Sequence, residues 1–193
     1  MPEMLRPGNA GRRRPSSRGH APAAAARVLV ALVMAGVWGV ALPTPASSST
    51  VTRASFDLQR GTAAGLKLGQ SSRRDATRRF GEPKEITPDQ NTGTTRLVWA
   101  CGRGCTFEVR VRGVVVVTVW AYGRVTRPRI RTRAGSSLGM PEGQAAAREG
   151  GRFVDSCTRE LGKSRGGLSL SLSSSGGKID SILMHTRKGR VLC

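Results

Sequence analysis

The sequence predicts an α+β protein: two tandem units, each a short helix followed by an antiparallel β-meander, placed after an N-terminal signal segment. Three observations carry that prediction. An octapeptide recurs at a constant offset of 70 residues, β-prone runs separated by tight turns follow each copy, and a basic, then apolar, then small-residue leader precedes both. The expected division is a signal peptide over 1–46, an N-terminal linker over 47–61, a first unit over 62–123, an Arg-rich connector over 124–131 and a second unit over 132–193.

The leader is read from its charge and hydropathy. Residues 1–27 carry Arg6, Arg12, Arg13, Arg14, Arg18 and Arg27 against Glu3 alone, and residues 28–42 form an uncharged apolar run. Pro43-Thr44-Pro45-Ala46 then supplies a small-residue exit. This order describes a secretory signal peptide cleaved after Ala46. An uncleaved, tilted anchor is the alternative, because residues 28–52 hold no charge, although a bilayer span needs about 20 apolar residues. No Cys follows the apolar run to accept a lipid. The whole 193-residue chain has 32 Lys+Arg and 12 Asp+Glu, a formal charge of +20. Six basic groups and one acid leave with the leader, so 26 and 11 remain and the exported part is still +15. Two His, few acids and 4% aromatics exclude most acid/base and metal chemistry and point to a thin core.

Cys101, Cys105, Cys157 and Cys193 all follow the leader. An even count in an exported chain reads as two disulfides, although four cysteines allow three pairings. The expected pairs are Cys101–Cys105, across the turn-like Gly102-Arg103-Gly104, and Cys157–Cys193. Loop-closure entropy gives about 2 kcal/mol for the first and about 4 kcal/mol for the second. Zinc is disfavoured, since His185 is the one His beyond the leader and no C-x-x-C spacing occurs. No cofactor is expected.

The repeat pairs Thr62-Ala63-Ala64-Gly65-Leu66-Lys67-Leu68-Gly69 with Thr132-Arg133-Ala134-Gly135-Ser136-Ser137-Leu138-Gly139, a gapless T-x-A-G-x-x-L-G match. After the first copy, Ser72 is a plausible N-cap with Asp75 three residues on, a capping-box variant. Ala76 and Phe80 would then share the buried face, and Gly81 and Pro83 end the helix. After the second, Pro141 and the Ala145–Ala147 run favour a weaker helix. Strands are expected over 95–101, 105–112 and 114–122, with Arg112-Gly113 as a tight turn. Residues 168–173 alternate Leu and Ser as a half-buried strand does. Ser174 to Gly177 then turn the chain into 179–184, where the spacing of Ile179 and Ile182 implies a bulge.

A helix ending Phe80-Gly81-Glu82-Pro83, a Trp-bearing strand and a final G-x-[VI] strand resemble the SmpA/OmlA (BamE-like) envelope module. Two such units, each with a disulfide, resemble the secreted beta-lactamase inhibitor protein fold. The resemblance covers roughly residues 55–193. It implies a small extracytoplasmic protein whose sheet faces another protein, without catalysis. The chain departs from the pattern in lacking a lipid-anchoring Cys and an aromatic-rich sheet, so inhibition of a beta-lactamase does not carry over.

With Arg112-Gly113 as the turn, Cys105, Phe107, Trp120 and Trp99 fall on the core face, since paired residues share a side. The opposite side then carries Arg96, Val98, Thr106, Glu108, Arg110, Val115, Val117 and Val119. Charges beside valines suit a surface that binds an extracytoplasmic protein; burial of those valines by a second sheet is the alternative. Arg124, Arg127, Arg129, Arg131 and Arg133 form a second candidate. Four of them recur every second residue, so an extended chain projects them to one side, toward an anionic cell-wall or membrane polymer or as a solvated edge. Nucleic acid is not expected, because no recognised motif accompanies the basic stretch. For catalysis, His185, Asp155 and Glu160 are isolated and no serine sits in a G-x-S-x-G elbow. The expectation is a secreted or envelope-associated, non-catalytic binding protein. A structural protein held by polyanions is the second reading.

Overall fold

The computed structural model describes residues 50–123, 129–155 and 159–187. The expected leader, the Cys157–Cys193 pair, Arg124 and Arg127 lie outside them. Three short strands open the described chain, β1 (Ala54–Asp57), β2 (Thr62–Ala63) and β3 (Leu66–Lys67), followed by helix α1 (Arg73–Phe80). Four strands come next: β4 (Glu85–Asp89), β5 (Thr94–Ala100), β6 (Cys105–Arg112) and β7 (Val115–Gly123). Then follow β8 (Ile130–Thr132), α2 (Glu142–Glu149), β9 (Val154–Asp155), β10 (Arg159–Arg165), β11 (Leu168–Ser175) and β12 (Lys178–Thr186). Strand β1 lies inside the stretch expected to be a linker.

The expected α+β arrangement of two separate helix-plus-meander units is overturned: the described protein is mostly β. Strands β7 and β12, which would close separate meanders, pair with each other, Tyr122 opposite Ser181 and Thr118 opposite His185. The result is one antiparallel eight-stranded sheet in the order β4-β5-β6-β7-β12-β11-β10-β9. The small sheet, β3-β2-β1-β8, also draws on both halves, through the parallel pair of β1 and β8. The physical reason is the cost of an open edge, whose unpaired N–H and C=O groups are satisfied when two meanders merge.

The helices have eight residues each and serve as lids. In α1, Ser72 Oγ accepts from the Asp75 N–H while an Asp75 carboxylate oxygen accepts from the Ser72 N–H, the reciprocal cap expected from the sequence. Its buried residues, Ala76 and Phe80, face the large sheet. The Phe80 ring meets Phe107 at 5.0 Å and Trp99 at 5.5 Å, both edge-on. Trp99 is held by an indole N–H donated to the Gly81 carbonyl at 3.0 Å. Phe56, Leu66, Ile130 and Leu138 complete this layer, so the core lies between the small sheet and helices on one side and one face of the large sheet on the other.

The turn between β6 and β7 also corrects the sequence reading. Arg112 pairs with Val115, so the turn residues are Gly113 and Val114 rather than Arg112 and Gly113. Gly113, at φ +59°, occupies the first turn position, which favours glycine in the hairpin turns that match strand twist. The ladder then slips at Val117, placing Val109 opposite Val119 and Glu108 opposite Trp120. Val119 is therefore fully buried in the core, and Trp120 leaves the core face on which it was expected. The bulge expected in the second hairpin is present: Ser173 pairs with Ser181 and Ser174 with Ile179.

Candidate functional site on the uncovered sheet face

Helices and small sheet cover one face of the large sheet; among the described residues, no element is layered on the other. Register fixes which side chains stand there. On β4 and β5 they include Glu85, Asp89, Arg96 and Val98; β6 adds Thr106, Glu108 and Arg110. From β7 come Thr118, Trp120 and Tyr122, and beyond them Leu183 and His185 of β12 and the alternate serines 169, 171 and 173 of β11. The Leu-Ser alternation of β11 thus turns its leucines to the core and its serines outward.

At the centre of the first half lies Glu108, with 1% of its surface exposed. A buried carboxylate is tolerated only when paired, and Glu108 is paired twice. Arg96 donates Nε–H to Oε2 at 2.8 Å and Arg110 donates Nε–H to Oε1 at 2.6 Å. Each arginine also reaches outward, Arg96 to Glu85 at 3.4 Å and Arg110 to Asp89 at 3.2 Å. The Tyr122 hydroxyl closes the group, 3.3 Å from Arg96 and 3.5 Å from Glu108. Arg96 is held firmly protonated, chiefly by its hydrogen bond to Glu108. The Asp89 carboxyl is held below the ordinary range, first by the Thr92 hydroxyl and then by the Thr92 amide and Arg110. Such a lattice keeps long side chains flat and rigid against the sheet.

Beside it, the Trp120 and Tyr122 rings stack at 4.4 Å with a 41° tilt. They border a cleft of about 980 Å³ whose far wall is the β11–β12 hairpin, including Ser173, Lys178 and Ser181. The Trp120 indole N–H is buried and has no hydrogen-bond partner among the described residues.

The structure therefore brings Arg96, Val98, Glu108 and Arg110 into one patch, as the sequence expected. Val115 and Val117 stand apart at the end of the sheet, where they line a different cleft with Arg112 and Thr186. Val119, expected on this face, is in the core. Sequence reading missed Trp120, Tyr122, Asp89 and Glu85, because the bulge at Val117 inverts the rest of β7 and because β4 carries Pro88. Of the arginine track, Arg129, Arg131 and Arg133 are exposed and alternate with inward Ile130 and Thr132. Arg133 is bound to Asp57 at 3.1 Å.

The Cys101–Cys105 disulfide is formed, with Cα atoms 5.0 Å apart. His185 is buried, its Nδ1 2.9 Å from the Thr186 carbonyl oxygen. Among the described residues, no three His, Cys, Asp or Glu side chains converge as metal ligands would, and no helix is long and apolar enough to cross a membrane.

No protein-family model and no curated protein matches the chain. Among solved structures, a cysteine-rich secretory protein of Staphylococcus aureus aligns with a TM-score of 0.46 at 13% identity, over 70% of this chain and 52% of that one. A DUF4309 family protein of Bacillus subtilis aligns at 0.48 and 15% identity, over 64% and 84%. An extracellular protein containing a SCP domain, from Bacillus anthracis, aligns at 0.40 and 15% identity, over 74% and 47%. The chain thus spans about half the length of the first and third of these proteins.

Proposed function

We infer that this is an exported, non-catalytic binding protein that recognises an extracytoplasmic protein through the uncovered face of its large sheet. The observation that carries this reading is the Trp120–Tyr122 stack, set at the mouth of a cleft beside the braced Arg96–Glu108–Arg110 group. Aromatic and arginine side chains on a rigid platform lose little entropy on docking and supply most of the binding energy in protein interfaces. The resemblance to secreted inhibitor-like modules points the same way, and an enzyme is one possible kind of partner. Capture of an extracytoplasmic protein by the purified chain, lost on Trp120→Ala and Arg96→Ala with folding retained, is the expected result. Undiminished capture by both variants would sink the reading.

A second reading rests on Arg129, Arg131 and Arg133, exposed on one side of the edge strand β8. In it, the protein is held at the envelope by an anionic polymer. Binding to envelope that fades steeply between low and high salt supports this version, whereas insensitivity to salt removes it.

A further inference from the structure

At the end of the large sheet away from the Trp120 cleft, two clefts of about 480 and 450 Å³ share Gly69, Gly167 and Thr186 as lining residues. They form where β12 runs out beside the bulge of β7, between the loop after β3 and the β10–β11 turn. We propose that this place binds a tetrahedral oxyanion of the phosphate or phosphodiester class.

The first argument is charge. Arg60, Lys67 and Arg165 line one cleft, Arg112 and Arg187 line the other, and among the described residues no Asp or Glu lines either. Elsewhere on the described surface the acids are spent on arginines and lysines: Asp75 on Arg78, Glu108 on Arg96 and Arg110, Glu142 on Arg159, Glu149 on Lys163. Lys67, Arg165 and Arg187 have no ion pair among the described residues. Arg60 is paired with Asp57 at 3.7 Å and Arg112 donates to the Thr92 carbonyl at 2.9 Å; the like charges of Lys67, Arg165 and Arg187 repel one another, and a bound anion relieves that repulsion.

The second argument is a hydrogen-bond vacancy. Thr186 lines both clefts, and its hydroxyl, buried just behind their surface, has no hydrogen-bond partner among the described residues; a buried unpaired hydroxyl is costly. The third is access to backbone. Gly69, Gly166 and Gly167 all have φ between +57° and +78°, and the space where a side chain would project from each is empty. An anion can therefore approach the main chain closely at three points. Guanidinium forks and a lysine arriving from separate elements suit a tetrahedral phosphoryl group better than a planar carboxylate, which is satisfied by two parallel donors.

The test is titration of the full chain with inorganic phosphate, followed by amide NMR shifts in a low-salt, phosphate-free buffer. Saturable shifts centred on Gly69, Gly167 and Thr186 are expected, with at least a tenfold loss of affinity in the Lys67→Gln/Arg165→Gln variant. Thr186→Val is expected to weaken binding about threefold, and Arg73→Gln/Arg74→Gln, on the exposed side of α1, to change it less than twofold. Shifts that never saturate, or that fall equally in both double variants, would overturn the site as diffuse attraction to a basic surface. The same variants probed with poly(glycerol phosphate) and with phosphatidylglycerol vesicles separate the sources. Loss confined to the polymer names a phosphodiester chain, loss confined to vesicles names a headgroup, and response to inorganic phosphate alone names the free ion; each supports the site. Because it lies at the other end of β12 from the Trp120 cleft, its failure leaves the proposed protein-binding face untouched.

Discussion

Glu108 and Arg110 stand two residues apart on one strand and close an ion pair of 2.6 Å on a face that, among the described residues, has no second layer above it. With Arg96 on the neighbouring strand, the carboxylate is sealed from water by its own partners. Removing one member of such a group strands the others. Glu108→Ala is expected to cost about 2–3 kcal/mol in urea unfolding, at the low end for a broken buried pair because both arginines keep some solvent. Glu108→Gln, which keeps the shape and one acceptor, should cost less. Equal costs would mean that the charge contributes nothing.

Gly123 ends β7 directly against the disulfide loop. It sits at φ +117°, and a β-carbon there would lie 2.1 Å from the Gly104 carbonyl oxygen. Gly104 is fixed by the Cys101–Cys105 bridge, so the clash has no easy relief. Gly123→Ala is expected to cost more than about 2 kcal/mol, and Cys101→Ser with Cys105→Ser about 2 kcal/mol. Combined, they should cost less than their sum, because a released loop can retreat. Strict additivity in a double-mutant cycle would deny the contact.

Acid sensitivity follows from the caps. The Asp75 carboxyl is held below its usual value of 3.8, first by the Ser72 backbone N–H, then by its hydroxyl. Asp89 is lowered by Thr92 and Arg110. A carboxylate whose folded pKa is depressed adds stability that is whole above its unfolded pKa, near 4, and is lost as pH falls through the folded value. Urea midpoints should therefore drop on going from pH 5 to pH 2. Asp75→Asn with Asp89→Asn should be less stable at pH 5 and flatter below it; an unchanged slope would assign the acid response elsewhere.

Much of the local structure was legible in the sequence. Ser72 and Asp75 announce the start of α1, and Ala76 and Phe80 its buried side, because capping and helical spacing act within a few residues. Gly102 to Gly104 between two cysteines announces a bridged turn for the same reason. What was not legible is non-local. Nothing in β7 or β12 alone says that their edges find each other, and β10, reading Arg-Glu-Leu-Gly-Lys-Ser-Arg, lacks the apolar alternation of a strand because much of it lies near the sheet rim. The candidate face was half readable: Arg96, Glu108 and Arg110 follow from alternation in β5 and β6, while Trp120 and Tyr122 depended on the bulge at Val117, which the unbroken valine run does not announce.

That dependence yields a decisive substitution pair. Without the bulge at Val117, either turn would leave Trp120 in the core and Val119 facing outward. With Gly113-Val114 as the turn and a bulge at Val117, Val119 is fully buried opposite Val109, and Trp120 stands on the uncovered face against Tyr122. Val119→Asp places a charge between packed apolar side chains and should abolish cooperative unfolding. Trp120→Ser removes a ring that stacks on Tyr122 and should leave a folded chain of lower stability, with α1 and the Trp99 environment intact by near-UV circular dichroism. The same variant should lose partner capture, since it deletes the aromatic anchor. A folded Val119→Asp protein beside an unfolded Trp120→Ser protein would reverse the register, and with it the composition of the proposed binding face.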